Sequence, residues 1–415
     1  MIAEILIIGD EIRSGALVDS NAADIAQKLE QTGIEVARHS SIGDDPAEIV
    51  IILKEISQRS DIAVVVGGLG PTADDWTAAA GTADAVVGFD PQAQATIENF
   101  FKARYRSLTD AHKKQTRLPA GAQFINNSVG TAFGFQIKIE RCDFFFLPGD
   151  SFEMRRMLAD QVIPQIKKLQ GPNLGVRRIE TLTIFGLSES ATGDQLDGFE
   201  QRFPQIKLGF RTEFPEIQVK FYAHGANEEG LRAELEKATR WVYRKLGNKV
   251  FSDSGEFMAE VVGRLLRQKN AFLALAESCT GGLIADLLTN VPGSSDYFVF
   301  SAVTYSNQLK TKILDVNART IDRFGAVSEQ TAKEMARGVR QVSGATYGLS
   351  VSGIAGPGGA TDDKPVGTVC MGLADANAVN GYRFNFTFDN RWMNKRVFAT
   401  AALDLLRRHL LGIPC

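Results

Sequence analysis

The stretch "LALAESCTGGLIADLL", residues 273–288, sets Ser278, Cys279 and Thr280 side by side. An apolar run precedes them, Gly281 and Gly282 follow, and an amphipathic run begins. This pattern predicts a strand, a tight turn and a helix. The first N–H groups of a helix lack intrahelical partners, so such a turn can hold an anion or steady an oxyanion. The plainer alternative is a turn in which Ser or Thr caps the helix.

A serine hydroxyl is a weak nucleophile unless a base takes its proton. None of the four histidines, His39, His112, His224 and His409, is close by in sequence, but "VTYSNQLKTKIL" supplies Tyr305 and Lys310 just after another strand. A lysine whose pKa is depressed by burial can take the place of histidine. Taken singly, Lys310 reads first as a surface lysine and Tyr305 as a strand-end packing residue. A third loop, "SVSGIAGPGGATDDKPVG", holds Gly353, Gly356, Gly358 and Gly359. Its amides could cradle a phosphate. No GK[ST] follows, so it is not a P-loop, and the alternative is a long surface loop. Arg391 and Arg396 flank the last helix, where either a phosphate or solvent could be their partner.

Near the N-terminus, "VVVGGLGPTADDWT" places Gly67, Gly68 and Gly70 after a buried strand, with Thr72, Asp74 and Asp75 following. Two adjacent carboxylates beside an anion-friendly loop could hold a hydrated divalent cation. They could equally form the acidic first turn of a helix.

The elements that must carry these residues follow from the pattern of the chain. Its 415 residues exceed one ordinary core. Near-continuous Val/Ile runs alternate with amphipathic segments, which predicts parallel sheets covered on both faces. We expect an α/β protein of two doubly wound, mainly parallel-sheet domains, residues 1–168 and 255–415, joined by a small α+β module at 175–250. In that module a helix is predicted near 189–202, and "IKLGFRTEFPEIQVKFYAHG" is predicted as a strand. The net charge of −3 argues against an electrostatic nucleic-acid footprint. Cys142, Cys279, Cys370 and Cys415 show no C-x-x-C spacing and read as reduced thiols of a cytoplasmic protein. The N-terminus reads as a first strand, not a signal peptide, and no apolar run has membrane-spanning length.

"AESCTGG", "YSNQLK", "GAVSEQTAKEMARGV", "SGIAGPGG…KPVGTV" and the arginine-flanked final helix together resemble the CinA C-terminal domain across residues 256–412. That family contains nicotinamide mononucleotide deamidases. The resemblance implies Ser278 as nucleophile on the carboxamide carbon, with Lys310 and Tyr305 handling its proton and no cofactor needed. It implies a substrate site with Thr280, Gly281, Gly282, Asn307, Ser352, Gly353, Gly356, Gly358, Gly359, Arg391 and Arg396. Ser352 stands where the family usually has a substrate-contacting threonine. Cys279 becomes a packing residue and Thr280 a cap or oxyanion neighbour.

"GDEIRSGALVDSNA" and "GGLGPTADDWT" resemble the N-terminal CinA domain, related to the molybdopterin-binding fold. This likeness implies ADP-ribose pyrophosphatase activity with magnesium, manganese or cobalt. The nucleotide site would comprise Asp19, Asn21, Gly67, Gly68, Gly70 and Thr72, with Asp74 and Asp75 on the metal. Arg13, Phe133 and Asp150 depart from the family pattern, which implies a weakened activity. The middle segment is similar to the KH-like module of full-length CinA proteins, without a GXXG nucleic-acid clamp. The family likeness also implies a homodimer. Three readings stand: a pyridine-nucleotide deamidase with a secondary pyrophosphatase, a protein whose main activity is the pyrophosphatase, and a non-enzymatic nucleotide-binding or competence-linked protein.

Overall fold

A computed structural model describes residues 1–69, 87–89, 91–103, 117–170, 176–225 and 227–414. The chain divides into two compact units, Met1–Ile179 with Ala223–Ala233, and Glu180–Tyr222 with Glu234–Cys415.

The first unit is built on β1 (Ile2–Ile8), β2 (Glu35–Ile42), β3 (Ile62–Val66), β4 (Gln123–Ile125), β5 (Gly134–Ile139) and β6 (Cys142–Leu147), in the order β2-β1-β3-β6-β5-β4. The first four of that order pair in parallel, and β6-β5 and β5-β4 are antiparallel. The central strands β1, β3 and β6 are largely apolar because both faces are covered, whereas the edge strand β2 is polar and mostly exposed. From β1, Ala3, Ile5 and Ile7 pack with Ile25 and Leu29 of helix α1 (Asn21–Gln31), while Leu6 and Ile8 pack with Ile49, Leu53 and Ile56 of α2 (Pro46–Arg59).

The second unit contains two sheets. The smaller has the order β8-β9-β7-β10, from β7 (Val176–Phe185), β8 (Ile206–Glu213), β9 (Glu216–Gly225) and β10 (Val250–Ser252), with helix α3 (Glu228–Leu246); β7, β9 and α3 cross the division between the units. Two details differ from the sequence expectation. The segment 206–225 is two strands, not one, because it turns at Phe214–Pro215, where proline has no N–H to continue a ladder. The helix expected near 189–202 is two short helices, Glu189–Gln195 and Phe199–Arg202, separated at Gly198, whose φ of 80° lies in the left-handed region.

The larger sheet has the order β12-β11-β13-β14-β15, from β11 (Leu273–Glu277), β12 (Phe298–Val303), β13 (Tyr347–Gly353), β14 (Thr368–Ala374) and β15 (Val379–Asn385). The three strands β12, β11 and β13 are parallel, and β14 and β15 continue antiparallel. All five residues of β11 are buried. Leu273 and Leu275 face α4 (Met258–Gln268) and α8 (Arg391–Leu411), packing with Val262, Leu266, Phe398 and Leu406. Ala274 and Ala276 face the other side, packing with Leu314 of α6 (Asn307–Leu314) and with Met335 and Val339 of α7 (Glu329–Ser343). The short helix α5 (Leu283–Thr289) follows β11 after the glycine turn. The turn therefore sits at the carboxyl end of a strand with parallel neighbours on both sides, the edge where ligands collect in α/β sheets.

Candidate active site

The turn after β11 is set by its glycines. Gly281 and Gly282 have φ of +64° and +95°, which residues with a Cβ rarely adopt. Ser278 N–H is anchored to the Val351 carbonyl (3.0 Å), and Gly281 N–H closes back on the Ser278 carbonyl (3.1 Å). Neither serine nor threonine caps α5. The fully buried Glu277 carboxylate does so, accepting from Gly282 N (3.0 Å), Ile284 N (3.2 Å) and Ala285 N (3.0 Å). The helix amides that the sequence suggested for an anion are thus occupied by the protein's own carboxylate. The Cys279 and Thr280 amides are outside that set. Thr280 is itself fully buried, with its hydroxyl unpartnered among the described residues.

Lys310 comes from α6, whose N-cap Ser306 accepts from Leu309 N. Its side chain is 1% exposed. Its Nζ donates to Ser278 Oγ at 3.0 Å, to the Thr304 carbonyl at 2.7 Å and to the Tyr305 carbonyl at 3.4 Å. No carboxylate is among these partners. Burial without a counter-charge lowers the lysine pKa, because only the ammonium form carries a desolvation cost. Cys279 is the opposite case. Burial pushes its thiol up to about 12, so it stays protonated and unreactive. Its Sγ fills the space beside Gly353, where a Cβ would come within 3.2 Å of it and within 2.8 Å of the Thr368 carbonyl.

Tyr305 meets the serine–lysine pair through its backbone. Its side chain is 61% exposed, and its phenol oxygen accepts from Arg391 Nη2 at 3.3 Å. Arg391 Nη1 also donates to the Gly356 carbonyl at 2.7 Å. Tyr305, Arg391 and the glycine-rich loop thus meet at one place. Gly356 and Gly359 have positive φ, and a Cβ on Gly358 would meet nothing within 4 Å. Ser352 is buried and its hydroxyl donates to the Ala326 carbonyl at 2.7 Å. Asn307 is exposed at the start of α6. Arg396 lies elsewhere, with its guanidinium over the Trp392 ring at 4.7 Å.

Three residues of this region escaped the sequence reading. Glu277 is the cap described above. Lys395 Nζ lies 3.6 Å from where a Cβ on Gly281 would stand, which puts a second cation beside the turn. Its spacing of four from Arg391 on one helix was the available signal. Asn394 is fully buried and pins the loop by donating to the Ala355 and Phe388 carbonyls at 3.1 and 2.8 Å.

In the first unit, Asp19 Oδ1 accepts from Ala22 N (3.0 Å). Asn21 donates to the Gly149 carbonyl (2.9 Å), and its Oδ1 is buried without a partner among the described residues. Gly67 and Gly68 have φ of +110° and +66°. Gly70, Thr72, Asp74 and Asp75 lie outside the described residues. Among the described residues, no three His, Cys, Asp or Glu side chains gather where they could hold a metal ion. The three departures from the family pattern have local partners. Arg13 pairs with Asp10 at 2.9 Å, Asp150 caps the helix Ser151–Met157, and Phe133 packs against Phe124. No described helix is long and apolar enough to cross a membrane.

Residues 255–410 match the family model of the CinA C-terminal domain, and residues 4–168 match that of a probable molybdopterin binding domain. A CinA-like protein of Desulfosudis oleivorans is 49% identical over 413 residues, covering 99% of this chain and 100% of its own. A CinA-like protein of Geobacter metallireducens is 42% identical over 410 residues, covering 98% and 99%. A solved structure from Agrobacterium tumefaciens, described as competence/damage inducible protein CihA, shows 36% identity and a TM-score of 0.35 over 36% of this chain and 94% of its own. With identity of that degree along its whole length, and an N-terminal molybdopterin-binding-like domain preceding a CinA C-terminal domain, the chain belongs to the family of CinA-like proteins.

Proposed function

We propose that the C-terminal domain hydrolyses the carboxamide of nicotinamide mononucleotide, giving nicotinate mononucleotide and ammonia. The observation that carries this reading is the 3.0 Å contact between Ser278 Oγ and a buried lysine that has no carboxylate partner among the described residues. Neutral Lys310 takes the Oγ proton as Ser278 attacks the carboxamide carbon. The resulting ammonium returns that proton to the departing nitrogen, and ammonia leaves. The ester on Ser278 is then opened by water, with Lys310 again as base, so that serine and lysine end as they began. The Cys279 and Thr280 amides are the candidates to steady the oxyanion, since the next amides along belong to Glu277 and Ser278. Arg391 and Lys395, one helical turn apart, supply positive charge for the phosphate.

The test is ammonia release from nicotinamide mononucleotide by the full chain. Ser278→Ala should lower kcat on the order of a thousandfold or more. Cys279→Ala should stay within about threefold of the wild type, because a protonated packing thiol does no chemistry. A dead Cys279→Ala beside an active Ser278→Ala would reassign the nucleophile.

A further inference from the structure

We propose that Phe214, at the tip of the β8–β9 hairpin, is a positioning residue that holds the Arg391 end of the site in place. The proposal uses the deamidase reading for its kinetic test and has a second test independent of it.

The sequence around the tip is "RTEFPEIQ". Arg211, Thr212 and Glu213 are exposed, as befits a hairpin end, yet the phenylalanine among them is half-buried. Its ring stands edge-on to Phe388, with centroids 5.3 Å apart at 89°, and stacks on Trp392 at 6.0 Å and 24°. Both geometries are favourable for aromatic pairs. Phe388 and Trp392 bracket the start of α8, where Asn390 caps the helix by accepting from Met393 N at 3.1 Å. Arg391, between them, is the residue that ties the Tyr305 phenol to the Gly356 carbonyl. The hairpin has a second foothold at Glu216, whose carboxylate accepts from Met258 N at 2.8 Å at the start of α4. Between the two lies a cavity of about 280 Å³, lined by Phe214, Glu216, Leu283, Leu287, Arg396 and Leu403 among others.

The hairpin therefore does not pack continuously on these helices. Phe214 is its contact with the first turn of α8, and this explains an aromatic residue at an otherwise charged tip. The first turn of α8 is exposed at Arg391 and Trp392, while Asn394 on its inner side is buried. Removing the ring frees the exposed Trp392, while Phe388 keeps its packing against the core, and with Trp392 the direction of the Arg391 guanidinium is loosened. Arg391 in this site binds the substrate's phosphate, which does not change during the reaction. Loosening it weakens ground state and transition state alike, so KM rises while kcat holds.

The experiment uses the full chain. In Phe214→Ala we expect KM for nicotinamide mononucleotide to rise about tenfold with kcat within about twofold of wild type. Phe214→Tyr, which keeps the ring, should restore KM. Leu235→Ala, a core lesion on α3 of the same module, should leave KM unchanged. An unchanged KM in Phe214→Ala overturns the proposal, as does the same change in Leu235→Ala, which would mark general destabilisation. Amide hydrogen exchange without substrate supplies the independent arm. It should quicken across residues 386–396 in Phe214→Ala and not in Phe214→Tyr. If the wild type releases no ammonia, the deamidase reading fails and exchange alone decides; unchanged exchange across 386–396 then overturns the latch.

Discussion

Each unit buries an ionisable side chain, Glu4 in the first and Lys310 in the second, and the two are resolved in opposite ways. In the first, Arg59 donates to both oxygens of Glu4, at 2.7 and 2.9 Å, and Ser60 Oγ donates to the same carboxylate at 2.6 Å. Burial alone would raise the Glu4 pKa, but the bonds from Arg59 and Ser60 outweigh it and hold the carboxyl below its ordinary range. Arg59 is correspondingly pushed up. The charges are fixed at any physiological pH. In the second unit, Lys310 is buried against a hydroxyl and two carbonyls, and its pKa falls. A paired buried charge is structure; a buried amine facing only neutral oxygens readily becomes neutral, and a neutral amine beside a hydroxyl is a base.

The largest expected effect separates the two. Lys310→Ala should lower kcat for ammonia release on the order of a thousandfold. Arg59→Ala should leave that rate unchanged while destabilising the N-terminal unit by about 3 kcal/mol, because it strands the buried Glu4 carboxylate. Steady-state kinetics and urea melts of both variants check this. A fall in rate for Arg59→Ala would erase the distinction.

The titration of Lys310 sharpens the same contrast. Its folded pKa lies below the ordinary value of 10.5, so activity should rise with pH through that lowered value as the amine becomes neutral. Stability follows the same sign. Between the lowered folded pKa and 10.5 the unfolded chain binds more protons, so stability is full above 10.5 and is lost as pH falls through the folded value. Comparing wild-type and Lys310→Ala melts over that window should show a slope that the variant lacks. Equal slopes would mean that the lysine keeps an ordinary pKa.

Much of this site was legible because its chemistry lies in short local motifs. "AESCTGG" already contains the proposed nucleophile, the glycines that make the turn and, unrecognised, its cap. Glu277 was overlooked because a buried glutamate at a strand end has meaning only once the helix folds back over it. Lys395 and Asn394 were hidden for a similar reason: they reach the turn and the loop from a helix more than a hundred residues away from Ser278 in sequence. The hydroxyl of Ser352 donates to the Ala326 carbonyl, a pairing across 26 residues that no local pattern encodes. The parallel half of the large sheet followed from its apolar runs. The edge strand β15 did not, because exposed polar residues such as Asn380 and Arg383 weaken its strand pattern.

The smallest expected effect concerns Tyr305, and it tests whether proton handling rests with the lysine alone. The family resemblance implies Tyr305 beside Lys310 as a partner in that task. In the structure its carbonyl serves Lys310 while its phenol serves Arg391. Tyr305→Phe removes only the hydroxyl and leaves the carbonyl in place. It should therefore raise KM about threefold through the loosened arginine and leave kcat within about threefold of wild type. The pH profile should keep the Lys310 transition unmoved, since no charge near the amine changes. The phenol is exposed, so water can replace it as a partner of Arg391, which is why the effect is small. A kcat loss of about a hundredfold or a displaced pH transition would instead make the phenol part of the proton path. The buried amine would then be one member of a pair, and the contrast with Arg59 would rest on geometry in the substrate complex that the free enzyme does not display.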